Sequence, residues 1–134
     1  MKIGFIGLGN MARAMIGGML SKKIAGPEDI IGSARTEETR NIVAEKFGIT
    51  VYADNRTVAQ EADILILAVK PQMFATVIPE IKDEVNADAL VISIAAGKTM
   101  SQIEGAFGRK LKLVRCMPNT PAMVGEGCSG VCRN

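Results

Sequence analysis

The feature that most constrains this fold is a glycine-containing turn near the start of the chain, which reads IGFIGLGNMA over residues 3–12. Gly7 permits a tight turn after a strand, and Gly9 lets the backbone approach a ligand because it has no Cβ. Ala12 lets the following helix pack closely on the strand. The free N–H groups in the first turn of that helix attract anions. The spacing G-x-G-x-x-A therefore predicts a strand, a turn and a helix that together bind phosphate.

Short apolar runs alternate with helical patterns along the chain, which is typical of a parallel sheet covered by helices on both faces. Two of these runs read ILILAV and LVISIA and contain almost no polar residue. Right-handed crossovers predict an α/β fold, a doubly wound and mostly parallel sheet of the Rossmann type with the order 3-2-1-4-5-6. In such a dinucleotide-binding domain the glycine turn holds the pyrophosphate. The six strands are predicted at residues 2–6, 29–33, 50–52, 63–69, 89–95 and 112–117.

Capping residues indicate where several helices begin and end. Thr36 is predicted to cap the helix after the second strand, and Gly48 is predicted to close it. Pro71 suits the first position of a later helix, which Pro79 is expected to kink or divide. The SQIE sequence at residues 101–104 has the spacing of a capping box before another helix.

The end of the second strand indicates which dinucleotide is bound. NAD-specific sites usually place Asp or Glu there, but this chain has Ser33, Arg35 and Thr36 instead. A carboxylate would repel the additional 2′-phosphate of NADP, whereas the Arg35 guanidinium can bind this phosphate with two parallel hydrogen bonds. Ser33 and Thr36 can add hydrogen bonds. We therefore predict NADPH or NADP as the cofactor, in preference to NADH; the alternative is that Arg35 is only a solvated loop cation.

Other strand ends carry further candidate residues, because ligands bind at the carboxyl edge of such sheets. Lys70 is held by Pro71 after the fourth strand and is a candidate for cofactor phosphate or ribose oxygens, although it could be plain surface charge. Ala96 and Gly97 follow the fifth strand and leave room for a flat ring. After the sixth strand a proline-stiffened loop presents Asn119; the alternative is a rigid turn without a ligand.

Composition and charge exclude several classes of partner. The formal net charge is only +2 and aromatic residues make up 4% of the 134 residues, so we expect no nucleic acid partner. The composition is globular, neither disordered nor membrane-spanning, and the first residues lack a secretion signal, so we expect a cytoplasmic protein without a membrane partner. Three cysteines without C-x-x-C spacing and no histidine predict no metal site.

Five stretches together resemble the pyrroline-5-carboxylate reductase family. They read IGFIGLGNMA, SAR, ADN, VKPQ and MPNTPA, and they follow that family's order from residue 1 to about residue 127. The resemblance implies an oxidoreductase of proline biosynthesis, which reduces the C=N bond of 1-pyrroline-5-carboxylate with NADPH and yields L-proline. An imine is already electrophilic, so such a protein mainly orients it and excludes water.

The resemblance also implies that Asn55, Lys70, Ala96, Met117, Pro118 and Asn119 line the cofactor, the last three near the nicotinamide. With the residues identified from the strand ends, the predicted cofactor site comprises Gly7, Leu8, Gly9, Asn10, Met11, Ala12, Ser33, Arg35, Thr36, Asn55, Ala68, Val69, Lys70, Pro71, Ala96, Gly97, Met117, Pro118 and Asn119.

The family's subunits are about twice as long and end in a helical domain that dimerises and supplies most of the substrate pocket. We therefore expect residues 1–127 to form the NADP-binding domain and residues 128–134 to be a stub, with a short closing strand, leading to a helical domain that this sequence lacks. No catalytic residue is expected in the chain, which should bind cofactor with little or no turnover. The full-length protein is expected to be a homo-oligomer, and this chain to self-associate through its C-terminal end.

Two other functions fit the same residues. The chain could be an NADP-binding interaction module without catalysis of its own. It could also be a related oxidoreductase of the β-hydroxyacid or coenzyme F420-dependent kind, which shares the glycine turn. The VKP and MPN stretches favour the imine reductase over these.

Overall fold

The computed structural model describes residues 1–95, 99–108, 111–117 and 130–133, with Met117 and the last four as backbone only. Within this part of the chain one sheet contains the strands β1 (Ile3–Ile6), β2 (Ile30–Ser33), β3 (Thr50–Tyr52), β4 (Ile64–Leu67), β5 (Leu90–Ser93), β6 (Lys112–Met117) and β7 (Gly130–Arg133). The α-helices are α1 (Asn10–Ser21), α2 (Glu37–Phe47), α3 (Asn55–Glu61), α4 (Phe74–Ile81) and α5 (Met100–Phe107). Two 3₁₀ turns, Pro27–Asp29 and Pro71–Met73, precede β2 and α4.

The strands lie in the order β3-β2-β1-β4-β5-β6-β7, which confirms the order predicted for the first six. Neighbouring strands from β3 to β6 are parallel, whereas β7 pairs with β6 in antiparallel orientation. The order reverses at β1, where Ile6 pairs with Ser33 of β2 on one side and with Leu67 of β4 on the other. The carboxyl ends of three strands therefore meet at the edge where doubly wound sheets bind ligands.

Helices cover both faces of the sheet, so the fold is doubly wound as predicted. One face carries α3, α4 and α5, whose buried residues include Val58, Phe74 and Ile103. The opposite face carries α1 and α2, which bury Ile16 and Val43 against the sheet. Burying apolar side chains on both faces is the main contribution that such a sheet makes to stability.

The short helix α3 is absent from the sequence prediction. It has seven residues and buries only Val58 and Ala59, so it is too short for apolar periodicity to identify it. The helix packs directly on β1, because a Cβ at Gly4 would lie 2.7 Å from Val58 Cγ1 and 2.9 Å from Ala62 Cβ. Gly4 therefore permits the close approach of α3 to the centre of the sheet.

Both predicted ends of α2 are confirmed, whereas α4 begins three residues later than the predicted position of Pro71 and is not divided by Pro79. Thr36 caps α2, and Gly48 closes it with a left-handed φ of 70°. Pro71 begins the 3₁₀ turn that leads into α4. Pro79 lies inside α4 and does not divide it. It is exposed at the surface, while four other residues of α4 are buried and hold the helix on the sheet.

The predicted capping box at residues 101–104 is wrong. The reciprocal bonds instead join Thr99 and Gln102: the Gln102 N–H donates to Thr99 Oγ1 at 3.1 Å, and the Thr99 N–H donates to Gln102 Oε1 at 2.9 Å. Thr99 has the extended backbone of a cap residue, so α5 begins at Met100.

Candidate functional site

A cavity of about 270 Å³ opens at the carboxyl edge of the sheet, where β1, β2 and β4 end. The turns after these three strands supply most of its walls, and the first turns of α2 and α3, the 3₁₀ turn before α4 and one side of α4 complete them. Its lining residues are Gly7, Leu8, Gly9, Ser33, Ala34, Arg35, Thr36, Thr39, Asn55, Ala68, Val69, Lys70, Met73 and Val77.

The glycine turn forms the floor between β1 and α1. Gly7 has a φ of 94°, and a Cβ there would lie 2.9 Å from Val69 Cγ1, so the fold itself requires glycine at this position. Gly9 differs, because a Cβ there would meet no described atom within 4 Å. The space beside Gly9 is therefore open to a ligand. Ala12 is 1% exposed, which agrees with the close packing expected of α1.

The turn after β2 places a cation and two hydroxyls at the cavity. Arg35 is exposed and lines it, two residues beyond the end of β2. Thr36 Oγ1 accepts a hydrogen bond from the Thr39 N–H at 3.3 Å and lies 2.9 Å from Thr39 Oγ1. Both threonines line the cavity. The Arg35 guanidinium, together with hydroxyl groups at the start of a helix, can bind a phosphate group through several hydrogen bonds.

Ser33 and Asn55 connect β2 to α3 at the back of the cavity. Ser33 is fully buried, and its hydroxyl donates to Asn55 Oδ1 at 2.6 Å. The bond uses the oxygen of the Asn55 amide and leaves its NH₂ group for other acceptors. Asp54 caps α3 by accepting from the Arg56 N–H at 2.9 Å. That backbone hydrogen bond, with a side-chain bond from Arg56, holds the pKa of Asp54 below its usual value.

Lys70 supplies a second cation where β4 ends. β4 is shorter than predicted, because Ala68 and Val69 leave the strand and become part of the cavity wall. Lys70 follows them, is exposed, and precedes the 3₁₀ turn that leads into α4. None of the described residues lining the cavity carries a carboxylate. Two cations without an opposing acid make the cavity suitable for a ligand with several negative charges.

The structure brings ten of the predicted site residues together at this cavity: Gly7, Leu8, Gly9, Ser33, Arg35, Thr36, Asn55, Ala68, Val69 and Lys70. Four others begin a helix or turn beside the cavity and are not among its lining residues: Asn10, Met11, Ala12 and Pro71. Ala96, Gly97, Pro118 and Asn119 lie outside the described residues, and Met117 is described only as the last residue of β6.

Four lining residues were not predicted: Ala34, Thr39, Met73 and Val77. Ala34 lies between the predicted residues Ser33 and Arg35, but its methyl side chain carries no polar group that would identify it as a ligand-binding residue. Thr39 stands three residues after the cap Thr36, a spacing that places both at the first turn of one helix. Met73 ends the 3₁₀ turn and Val77 follows four residues later in α4, a spacing that by itself indicates only a packed helical face.

Within the described residues, no helix is long and apolar enough to cross a membrane. The same residues contain no group of three or more His, Cys, Asp or Glu side chains that could hold a metal ion.

Comparisons with known proteins agree with this geometry. Residues 2–97 match the model of a family described as NADP oxidoreductase, coenzyme F420-dependent. The pyrroline-5-carboxylate reductase of Escherichia coli is 41% identical over 133 residues, which are 99% of this chain and 49% of that protein. The chain therefore spans about half the length of the curated relatives it matches.

Solved structures extend the similarity to the fold. A pyrroline-5-carboxylate reductase from Coxiella burnetii superposes with a TM-score of 0.93 at 39% identity, over 99% of this chain and 49% of that one. The enzyme from Plasmodium falciparum, solved with NADP bound, gives 0.87 at 32% identity, over 99% of this chain and 48% of that one. The chain thus belongs to the NADP oxidoreductase, coenzyme F420-dependent family, and within it resembles the pyrroline-5-carboxylate reductases over almost its whole length.

Proposed function

We propose that this chain is the NADP-binding half of a pyrroline-5-carboxylate reductase, which forms L-proline by reducing a C=N bond. The observation that carries the proposal is the cavity where the strand order reverses. It combines an open glycine turn with Arg35 and Lys70, and its described lining has no carboxylate. A dinucleotide with phosphate groups matches this charge and shape.

Each part of the cavity has a separate role in this proposal. The glycine turn and the start of α1 bind the pyrophosphate through backbone N–H groups, with the open side of Gly9 as the point of closest approach. Arg35, Thr36 and Thr39 bind the 2′-phosphate, and so favour NADPH over NADH. The Asn55 amide and Lys70 bind ribose or phosphate oxygens. Ala96 and Gly97, after β5, leave room for a flat ring. Met117, Pro118 and Asn119, which the resemblance identifies, line the nicotinamide end.

The proposed reaction requires little acid–base catalysis from the residues of this chain. The bound cofactor supplies a hydride, and an imine accepts it readily, so the protein's task is to orient the imine acid and exclude water. We propose that residues 1–127 form the cofactor domain and that residues 128–134 connect it to the part of the relatives' length not spanned here. That part would hold the substrate and join subunits into a homo-oligomer in the cytoplasm.

The direct test is a titration with NADPH and NADH, followed by cofactor fluorescence. The sequence contains no tryptophan, so the signal has no indole background. We expect tighter binding of NADPH. Equal affinity for both cofactors would contradict the role of Arg35, and binding of neither would contradict the cofactor-domain proposal.

A second test measures proline formation from 1-pyrroline-5-carboxylate and NADPH. We expect binding of NADPH with little or no turnover by these 134 residues alone. Turnover at the rate of a full-length relative, measured in parallel, would show that the substrate pocket lies within this chain.

The description of the matching family favours a second candidate, an oxidoreductase that uses coenzyme F420. Both candidates require the NADP cavity, so the NADPH titration does not separate them. Titration with coenzyme F420 does, because the proposed imine reductase has no need to bind it. Saturable F420 binding in the presence of NADP would favour the second candidate.

A further inference from the structure

Arg40, in the first half of α2, reaches back to the turn that carries Arg35. Its Nη1 donates to the Ala34 carbonyl oxygen at 2.9 Å and to the Arg35 carbonyl oxygen at 3.2 Å. Arg40 is half-buried and is not among the residues that line the cavity. Its guanidinium thus holds the backbone of the turn rather than facing the cavity.

Arg13 makes the corresponding contact at the glycine turn. Its Nε donates to the Leu8 carbonyl oxygen at 2.9 Å. Arg13 and Arg40 are each the fourth residue of their helix, α1 and α2. Helical side chains lean towards the N-terminus, so each arginine lies over the turn that precedes its helix. Two turns of the cavity are therefore held in the same way.

These bonds have a clear consequence for an anionic ligand. A carbonyl oxygen that faced the cavity would repel phosphate. A hydrogen bond from the Arg40 guanidinium directs the oxygen away from the cavity and offsets its partial negative charge. The bonds also fix the backbone of Ala34 and Arg35 before a ligand arrives. Less conformational freedom is then lost when the exposed Arg35 side chain binds.

We propose that Arg40 is a positioning residue that sets the preference for NADP over NAD by holding the Ala34–Arg35 turn through two carbonyl hydrogen bonds. The inference rests on the proposed function. Arg13 is its counterpart for the pyrophosphate turn, which both dinucleotides use. Loss of Arg40 should therefore change selectivity, whereas loss of Arg13 should change overall affinity.

The test compares R40M, R40K and R13M in the 134-residue chain, after thermal melting has shown that each variant is folded. We expect R40M to weaken NADPH about tenfold and NADH less than about twofold, since two charge-assisted bonds are lost from the 2′-phosphate turn. R40K keeps the charge, but its side chain is one atom shorter than that of Arg40 and brings its ammonium less close to the two carbonyl oxygens, so it should recover only part of the affinity. R13M should weaken both cofactors by the same factor.

Amide hydrogen exchange of the cofactor-free protein gives a readout that needs no ligand. The buried Ala34 N–H donates to the Tyr52 carbonyl oxygen at 3.2 Å, and in R40M this amide should exchange faster than in the unaltered chain, with R40K between the two. An unchanged NADPH-to-NADH affinity ratio in R40M would overturn the inference, as would unaltered exchange. Full recovery of affinity by R40K while its amide exchange stays as fast as in R40M would assign the effect to charge alone and would also overturn it. If the unaltered chain binds neither cofactor, the proposed function fails, while the exchange measurement still tests the turn.

Discussion

Ser33 donates its hydroxyl hydrogen to Asn55 Oδ1 at 2.6 Å and so joins the end of β2 to the first residue of α3. Ser33 is fully buried and Asn55 lines the cavity. The serine hydroxyl, expected from the sequence to bond the cofactor, has its proton committed within the protein. The Ser33 oxygen can still accept a hydrogen bond. Because its hydrogen is donated to Asn55 Oδ1, the NH₂ group of the Asn55 amide points away from Ser33.

The first prediction concerns this bond. S33A removes the donor, so the Asn55 amide loses its fixed orientation and the protein loses about 1 kcal/mol of stability. We expect NADPH and NADH affinities to fall by the same factor, about three- to tenfold, because Asn55 is proposed to contact groups that both cofactors share. Cofactor fluorescence and urea unfolding measure the two effects.

Ser93 provides the matched control, because it is the other buried serine in the described part of the chain and does not line the cavity. Its Oγ accepts from the nearby Ala95 N–H at 3.4 Å. S93A does not disturb Asn55, so a loss of affinity in S33A that S93A does not share is assigned to the bond between Ser33 and Asn55. A selective loss of NADPH binding in S33A would instead assign Ser33 to the 2′-phosphate.

The second prediction concerns Arg35. R35E replaces a cation with an anion where the 2′-phosphate is proposed to bind, and should weaken NADPH by at least about 1–3 kcal/mol while sparing NADH. K46E makes the same change of charge in the last turn of α2, where Lys46 is exposed and lies over the Phe47 ring. It should affect neither cofactor. An equal loss of both cofactors in R35E would give Arg35 a structural role.

The sheet could be predicted from the sequence because its signals are local. Apolar runs identify buried strands, and Gly7 marks a turn that no other residue would adopt without strain. Handedness of the crossovers then determines the strand order. The predicted β4 and β5 each extend two residues beyond the observed end of the strand. Ala68 and Ala95 are as apolar as the strand residues before them, so the sequence does not show that the strand has ended.

The details of the cavity depend on contacts between distant elements, which a sequence pattern does not contain. The bond from Ser33 spans 22 residues to a helix that was not predicted. Met73 and Val77 have the helical spacing of core residues, and only the packing of α4 shows that they also reach the cavity. Pro79 was expected to kink or divide α4; it does not divide the helix, because burial of its neighbours outweighs the missing hydrogen bond.

The third prediction separates the two glycines of the turn. G9A adds a methyl group to open space, so the stability of the protein should change little while both cofactors bind more weakly. G7A combines a φ of 94° with a contact of 2.9 Å to Val69, so it should destabilise the fold itself. Thermal melting and cofactor titration distinguish the outcomes. Unaltered cofactor binding by G9A would contradict a close approach of the ligand at Gly9.

The fourth prediction concerns the pH dependence of the α3 cap. The Asp54 carboxylate accepts from the Arg56 N–H at 2.9 Å and from Arg56 Nε at 3.3 Å, and these bonds lower its pKa. A pKa that is lower in the folded state means that the charged form stabilises the fold. This contribution is fully present above the unfolded value of about 3.9, and it is lost as the pH falls through the lowered folded value.

D54N tests this directly, because Asn caps a helix about as well as Asp but does not titrate. Urea unfolding of the unaltered chain and of D54N should be measured from about pH 7 down to pH 3. The unaltered chain should be the more stable of the two at neutral pH, and this difference in unfolding free energy should shrink below about pH 4. D54A removes the cap at every pH, and should destabilise α3 throughout. Because α3 begins at Asn55, D54A should also weaken NADPH at neutral pH, whereas D54N should not. Parallel pH profiles of the unaltered chain and D54N would show that the Asp54 charge contributes nothing to the fold.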